Sequence, residues 1–135
     1  MPRRFVEGTR LLIVDDDDAL RVNARRMLEM CGATVVCAEN GQLAKVAILE
    51  QLEPFHAVLT DMEMPVMDGI ELAARIKVIA PNTPVMMWTG RPNNAEGHEA
   101  DLLLTKPVAF AELIESFAIL IPDRLIGSTP AMAQA

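Results

Sequence analysis

The strongest constraint on the fold is the alternation of short apolar runs with amphipathic stretches of helical length. Five runs, at residues 10–14, 34–38, 57–60, 85–88 and 101–104, have the length of strands covered on both faces. Residues 19–30, 42–52, 69–80 and 108–121 carry apolar side chains at helical spacing. Parallel strands need crossover connections, so this order predicts an α/β fold with a parallel sheet and helices on both faces.

Four of the five apolar runs lead into residues suited to metal or phosphate chemistry. Asp15 and Asp16 close the first run, Asp61 the third and Thr89 the fourth, and Lys106 comes shortly after the fifth. Ligands of open parallel sheets bind beyond the carboxyl ends of the strands. We therefore expect these five residues to converge on one cleft. Asp17 and Asp18 are better explained as the cap and dipole partner of the first helix.

The residue types in this cleft suit phosphoryl transfer. Carboxylates held close together stay ionised only with a cation between them, and oxygen ligands suit Mg²⁺. The ammonium of Lys106 and the hydroxyl of Thr89 would complement further phosphoryl oxygens. Asp61 is placed to attack phosphorus, because a carboxylate is an accepted nucleophile for making aspartyl phosphates.

Composition excludes several other classes of protein. A chain of 135 residues fits one domain, and a net charge of −7 disfavours direct nucleic-acid binding. No apolar run approaches the roughly 20 residues that a membrane span requires, and the first residues lack the apolar core of a signal peptide. Cys31 and Cys37 have no metal-ligand spacing and are interpreted as buried thiols. We expect a cytoplasmic protein without a membrane partner.

Four motifs in this order resemble the receiver domain of two-component response regulators. They are LLIVDDDD at 11–18, LTDMEMPVMDG at 59–69, MWTG at 87–90 and TKP at 105–107. The resemblance covers about residues 9–121. It implies a CheY-like, flavodoxin-like fold: a doubly wound five-stranded parallel sheet with strand order 2-1-3-4-5.

The resemblance also implies roles for the site residues. Asp61 would be the phosphoacceptor, Thr89 the switch hydroxyl and Lys106 the cation that pairs with phosphate. The implied Mg²⁺ ligands are Asp15, Asp16, Asp61 and the backbone carbonyl of Glu63. Of the acid pair, Asp16 would bind the metal directly, while Asp15 would act largely through water.

The resemblance implies partners as well. The phosphoryl donor would be a phosphohistidine on a sensor histidine kinase or a histidine phosphotransfer protein. The domain would be no enzyme for other substrates, since it would promote only its own phosphorylation and dephosphorylation. Its output would be phosphorylation-dependent binding of a downstream protein that the sequence does not identify.

The sequence departs from the family pattern in two places. Leu103 stands where most receivers carry Tyr or Phe, so the usual aromatic switch is in doubt. The segment between Thr89 and Ala100 is about five residues short, which predicts that the fourth helix is reduced to a turn or missing. At the rim, Glu63 and Arg91 are predicted to pair and to hinder the water that hydrolyses the aspartyl phosphate. Pro107 is expected to follow a cis peptide bond.

The chain is expected to contain a receiver domain at 1–122 and a flexible tail at 123–135, with no room for an output domain, and hence to be a stand-alone receiver. Two rivals remain. One is a phosphorylation-independent adaptor with a vestigial site, which Leu103 and the short loop favour. The other is a haloacid-dehalogenase-type phosphatase, which Asp15-x-Asp17 superficially fits. That phosphatase needs an acidic pair on a strand after the lysine, whereas Glu112 and Glu115 lie on a predicted helix.

Overall fold

The computed structural model describes residues 2–127, and a five-stranded parallel sheet is its central feature. In chain order the elements are strand β1 (Arg4–Phe5), strand β2 (Arg10–Val14), helix α1 (Asp18–Met30), strand β3 (Thr34–Ala38), helix α2 (Gly41–Glu50), strand β4 (Ala57–Asp61), helix α3 (Gly69–Ile79), strand β5 (Val85–Thr89), strand β6 (Leu102–Thr105), helix α4 (Phe110–Leu120) and strand β7 (Leu125–Ile126), with 3₁₀ turns at Pro92–Asn94 and Pro122–Arg124. The sheet order is β3-β2-β4-β5-β6, with every neighbouring pair parallel. This confirms the predicted order 2-1-3-4-5, because the short strand β1, which lies outside this sheet, raises the number of each sheet strand by one.

The sheet is buried on both faces, which explains why its strands read as continuous apolar runs. Successive residues of β2 point to opposite faces, so Ile13 and Leu12 belong to different core clusters. On the face of Ile13, the side chains from helices α1 and α4 include Leu28, Leu113 and Phe117. On the face of Leu12, those from α2 and α3 include Ala44, Leu72 and Ile76.

The connection between β5 and β6 contains only a 3₁₀ turn, at Pro92–Asn94. This confirms the prediction that the fourth helix is reduced. The turn is followed by buried Ala95, which packs in a small cluster with Met62 and Met87. Ile70, Ala100 and Leu103 pack against the same cluster, so this part of the sheet is covered without an apolar helix from the segment.

The structure gives residues 123–126 of the predicted tail regular secondary structure. They continue the 3₁₀ turn and form β7, which pairs antiparallel with β1. Leu125 of this segment is buried, and the Arg124 guanidinium donates a hydrogen bond to the Thr9 hydroxyl at 3.0 Å. On the paired strand β1, the rings of Phe5 and Phe117 pack edge to face, with their centroids 5.7 Å apart. The rest of the expected tail, residues 128–135, lies outside the described residues.

Candidate functional site

Three carboxylates meet at the carboxyl edge of the sheet. Strands β2 and β4 are neighbours, with Val14 opposite Thr60, so the next residue of each strand, Asp15 and Asp61, falls at the same level. One oxygen each from Asp15, Asp16 and Asp61 lies within 4.8 Å of the others. Asp15 and Asp61 are buried, whereas Asp16 is exposed. The predicted convergence of the acid pair with Asp61 is therefore present.

Lys106 bridges the two buried carboxylates. Its ammonium nitrogen lies 3.4 Å from Asp15 Oδ2 and 3.2 Å from Asp61 Oδ1. Its backbone N–H donates to the carbonyl of Thr89 at 2.8 Å, which anchors the loop after β6 to the end of β5. The peptide bond from Lys106 to Pro107 is cis, as the resemblance implied.

Thr89 ends β5 at the same edge, one residue beyond the position opposite Asp61. The side chain is buried, and its Oγ1 accepts the N–H of Arg91 at 2.9 Å. Within residues 2–127 it makes no hydrogen bond to the three carboxylates. The hydroxyl can still donate its own hydrogen, because the bond to Arg91 uses only a lone pair.

The predicted rim pair is present. Arg91 NH1 lies 3.7 Å from Glu63 Oε2, and both side chains are at least half exposed. The backbone N–H of Glu63 also lowers the pKa of the Asp61 carboxyl. The loop after β4 therefore contributes both a main-chain donor and a rim charge to the site.

Gly69 fixes how closely helix α3 approaches the site. A Cβ at this position would lie 2.1 Å from the backbone oxygen of Asp61, which is far inside van der Waals contact. The Gly69 N–H donates to the Met62 carbonyl at 2.7 Å, and Asp68 caps the helix by accepting the N–H of Glu71. Only glycine lets the helix begin directly against the end of β4.

Arg21 lies beside the site but was not among the residues that the sequence analysis predicted there. Its guanidinium donates to the backbone carbonyl of Asp15 at 2.7 Å and pairs with Asp18, one helical turn earlier. The side chain is only 15% exposed, so it forms part of the wall beside the acid pair. In the sequence, the spacing of three residues between Asp18 and Arg21 indicates that the two side chains can pair on one face of the helix.

The electrostatics of the site favour a bound cation. Burial and the neighbouring Asp15 raise the pKa of Asp61, and the Lys106 ammonium and the Glu63 N–H offset only part of this effect. The Asp61 carboxylate would therefore be stabilised by further positive charge beside that of Lys106. Three carboxylate oxygens within 4.8 Å form a hard oxygen donor set, which fits Mg²⁺ with room for further oxygen ligands.

Comparison with known proteins agrees with the fold and the site. The family model for the response regulator receiver domain matches residues 11–118. The response regulator receiver protein CpdR of Brucella abortus is 36% identical over 110 residues, which cover 78% of this chain and 90% of that protein. The two-component response regulator ORR41 of Oryza sativa is 39% identical over 120 residues, which cover 84% of this chain and 92% of that protein.

Other relatives are longer. The response regulator MprA of Mycolicibacterium vanbaalenii is 33% identical over 91% of this chain, but the match spans only 56% of that protein. Among solved structures, a receiver domain protein from Clostridium thermocellum superposes with a TM-score of 0.77 at 29% identity, covering 85% of this chain and 95% of that one. The protein TrrA from Thermotoga maritima, solved in complex with Mg²⁺ and BeF, superposes with a TM-score of 0.72 at 27% identity, covering 82% and 97%.

The chain belongs to the response regulator receiver domain family. Members of this family are signalling modules of two-component systems rather than enzymes that turn over other substrates. They interact with histidine kinases or phosphotransfer proteins and generally bind Mg²⁺ at an acidic site. In the part of the chain that the structure describes, no helix is long and apolar enough to cross a membrane.

The raised pKa of Asp61 predicts a pH-dependent cost to stability. The pKa of Asp61 is 3.8 in the unfolded chain and higher in the folded protein. Its carboxyl therefore stabilises the fold fully below pH 3.8, and this contribution is lost as the pH rises through the pKa of the folded protein. Asp61→Asn should therefore be more stable than wild type at pH 7 without Mg²⁺. Urea denaturation at pH 7 and pH 3.5 measures this difference, which should disappear at the lower pH.

Asp101→Asn is the matched control with the opposite sign. Burial raises the pKa of Asp101, but the Lys77 ammonium and the Val85 N–H outweigh this effect, so the pKa is lowered overall. Asp101→Asn should therefore be less stable than wild type at pH 7. A destabilised Asp61→Asn variant at pH 7 would contradict the electrostatic account.

Proposed function

We propose that this chain is a phosphoacceptor receiver that takes a phosphoryl group onto Asp61 from a phosphohistidine. The observation that carries the proposal is the Lys106 ammonium bridging Asp15 and Asp61, beside an acid cluster whose oxygens lie within 4.8 Å. The donor would be a sensor histidine kinase or a histidine phosphotransfer protein. The complex of TrrA with Mg²⁺ and BeF supports this reading, because it is a related protein of the same fold.

In the proposed reaction, a carboxylate oxygen of Asp61 attacks phosphorus while the P–N bond to the donor imidazole breaks. The transition state is loose, so the protein contributes mainly positioning and charge neutralisation. Lys106 would pair with one phosphoryl oxygen, and the Thr89 hydroxyl would donate to another. Asp15, Asp16, Asp61 and the Glu63 carbonyl would hold Mg²⁺, which supplies further positive charge to the phosphoryl oxygens.

We propose that the output is protein binding. The net charge of −7 disfavours nucleic acid as a direct partner. The receiver unit would extend to residue 127, because β7 and the Arg124 contact attach the end of the described chain to β1 and Thr9. The proposal is therefore a cytoplasmic receiver that signals to an unidentified downstream protein.

The two rivals make different predictions for the same site. A phosphorylation-independent adaptor is favoured by Leu103, which has no polar group, and by the single 3₁₀ turn before β6. The haloacid-dehalogenase reading needs acids on a strand after Lys106. Glu112 and Glu115 instead lie on α4, where Glu115 pairs with Arg3 at 2.9 Å, away from the acid cluster.

Phosphorylation of Asp61 is directly testable. Wild type incubated with Mg²⁺ and acetyl phosphate should gain the mass of one phosphoryl group, and Asp61→Ala should gain none. Asp68→Asn is the matched control, because it changes an acid in the same loop while keeping a side chain that caps α3. Intact-protein mass spectrometry measures all three. An unmodified wild type would favour the adaptor, and steady turnover of a phosphate ester would favour the phosphatase.

The rim pair predicts the lifetime of the phosphorylated form. Glu63→Ala and Arg91→Ala should each shorten the half-life of phospho-Asp61, because removing either side chain opens the approach of water. Stability should change little, since the pair is exposed. Glu71→Ala is the control, because its exposed pair with Arg75 lies on α3. Equal half-lives in all variants would remove the proposed role of the rim.

A further inference from the structure

The path of the Lys106 side chain is set by the order of the sheet. Lys106 follows β6 and Asp61 ends β4, while β5 lies between these strands. The ammonium must therefore cross the end of β5 to reach the carboxylate. The residue it crosses is Trp88, and Lys106 Nζ lies 5.2 Å from the centroid of its ring. That separation is within the ~6 Å range of a cation–π contact.

The two carboxylates do not fix the ammonium alone. The contacts from Lys106 Nζ to Asp61 and Asp15 are 3.2 Å and 3.4 Å. Both are longer than the ~2.7–2.9 Å of a direct charge-assisted hydrogen bond. The ring of Trp88 is the third group that faces the ammonium, and it has no charge to compete with an incoming phosphoryl group.

Trp88 itself is rigidly held. It is 5% exposed, and it packs in the core cluster that contains Leu113 of α4 and Ala24 of α1. Its carbonyl accepts the N–H of Met62 at 3.1 Å, directly after Asp61. The backbone N–H of Lys106 donates to the carbonyl of Thr89, the residue after Trp88, so the ring and the lysine are held next to each other at the ends of β5 and β6.

A tryptophan is a costly choice for this position. Its Nε1 is buried and has no hydrogen-bond acceptor among the described residues. A buried donor without a partner destabilises a fold, whereas an aliphatic side chain of similar volume avoids that penalty. The feature that an aliphatic residue lacks is the ring face under Lys106.

We infer that Trp88 is a positioning residue for Lys106: its ring face holds the ammonium where the phosphoryl oxygens will lie. The inference rests on the proposed function for what Lys106 does, but the contact itself does not depend on phosphorylation. Trp88 acts only through Lys106, so its effect on the site should require that lysine.

The contact is tested first on the unphosphorylated protein. The ring current of Trp88 should shift the ε-methylene protons of Lys106 upfield of those of Lys45, and Trp88→Leu should abolish the difference. Lys106→Gln, which leaves the core intact, should change the emission of Trp88, the one tryptophan of the chain. Unshifted Lys106 protons together with unchanged emission would overturn the inference.

The consequence is tested by calorimetry with beryllium fluoride in saturating Mg²⁺. Trp88→Leu should weaken binding about three- to tenfold, the range expected from losing a cation–π contact, and Trp88→Phe should restore most of it. Mg²⁺ affinity should stay unchanged in both variants, because the carboxylates are intact. In a Lys106→Gln background, Trp88→Leu should have no further effect.

The same loss in both backgrounds would mean that Trp88 is only a packing residue, and would overturn the inference. Trp88→Phe keeps the measurement usable if thermal denaturation shows that Trp88→Leu is unfolded. Wild type that fails to bind beryllium fluoride would contradict the proposed function instead. In that case the positioning role of Trp88 would be decided by the Lys106 proton shifts and the Trp88 emission, which do not depend on phosphorylation.

Discussion

The constraint on which the rest of the site depends is the repulsion between two buried carboxylates. Asp15 and Asp61 share one corner of the sheet with little water around them. Such a pair is unstable without positive charge, and the fold supplies one fixed ammonium from Lys106. Burial and the neighbouring Asp15 still raise the pKa of Asp61, so the corner favours additional positive charge.

The sheet order turns this local requirement into a requirement on the whole fold. Asp15, Asp61 and Lys106 follow or end β2, β4 and β6, and the sheet order, with β5 between β4 and β6, brings the three groups to one edge. Gly69 then lets α3 start against Asp61 without displacing it. The same arrangement brings Trp88 and Thr89 under and beside the ammonium.

The sequence was sufficient to predict the sheet and the acid site, because both depend on local patterns. Four of the five apolar runs lead into residues suited to metal or phosphate chemistry, and parallel strands bring such ends together. The β1–β7 pair was not predictable, since its strands are two residues long and lie at opposite ends of the described chain. Arg21 was not predicted at the site, because its hydrogen bond is to the backbone carbonyl of Asp15 and depends on no particular residue type there. The contact of Lys106 with Trp88 depends on register, which a single sequence does not reveal.

The most direct test of a shared cation pocket is a Mg²⁺ titration by calorimetry on four proteins. Wild type should bind one Mg²⁺, and Asp16→Asn and Asp61→Asn should each weaken binding by at least about tenfold, because each removes one of the oxygen ligands. Asp17→Asn should bind like wild type, since Asp17 caps α1 and asparagine caps equally well. Equal losses in all three variants, or no binding by wild type, would contradict the account.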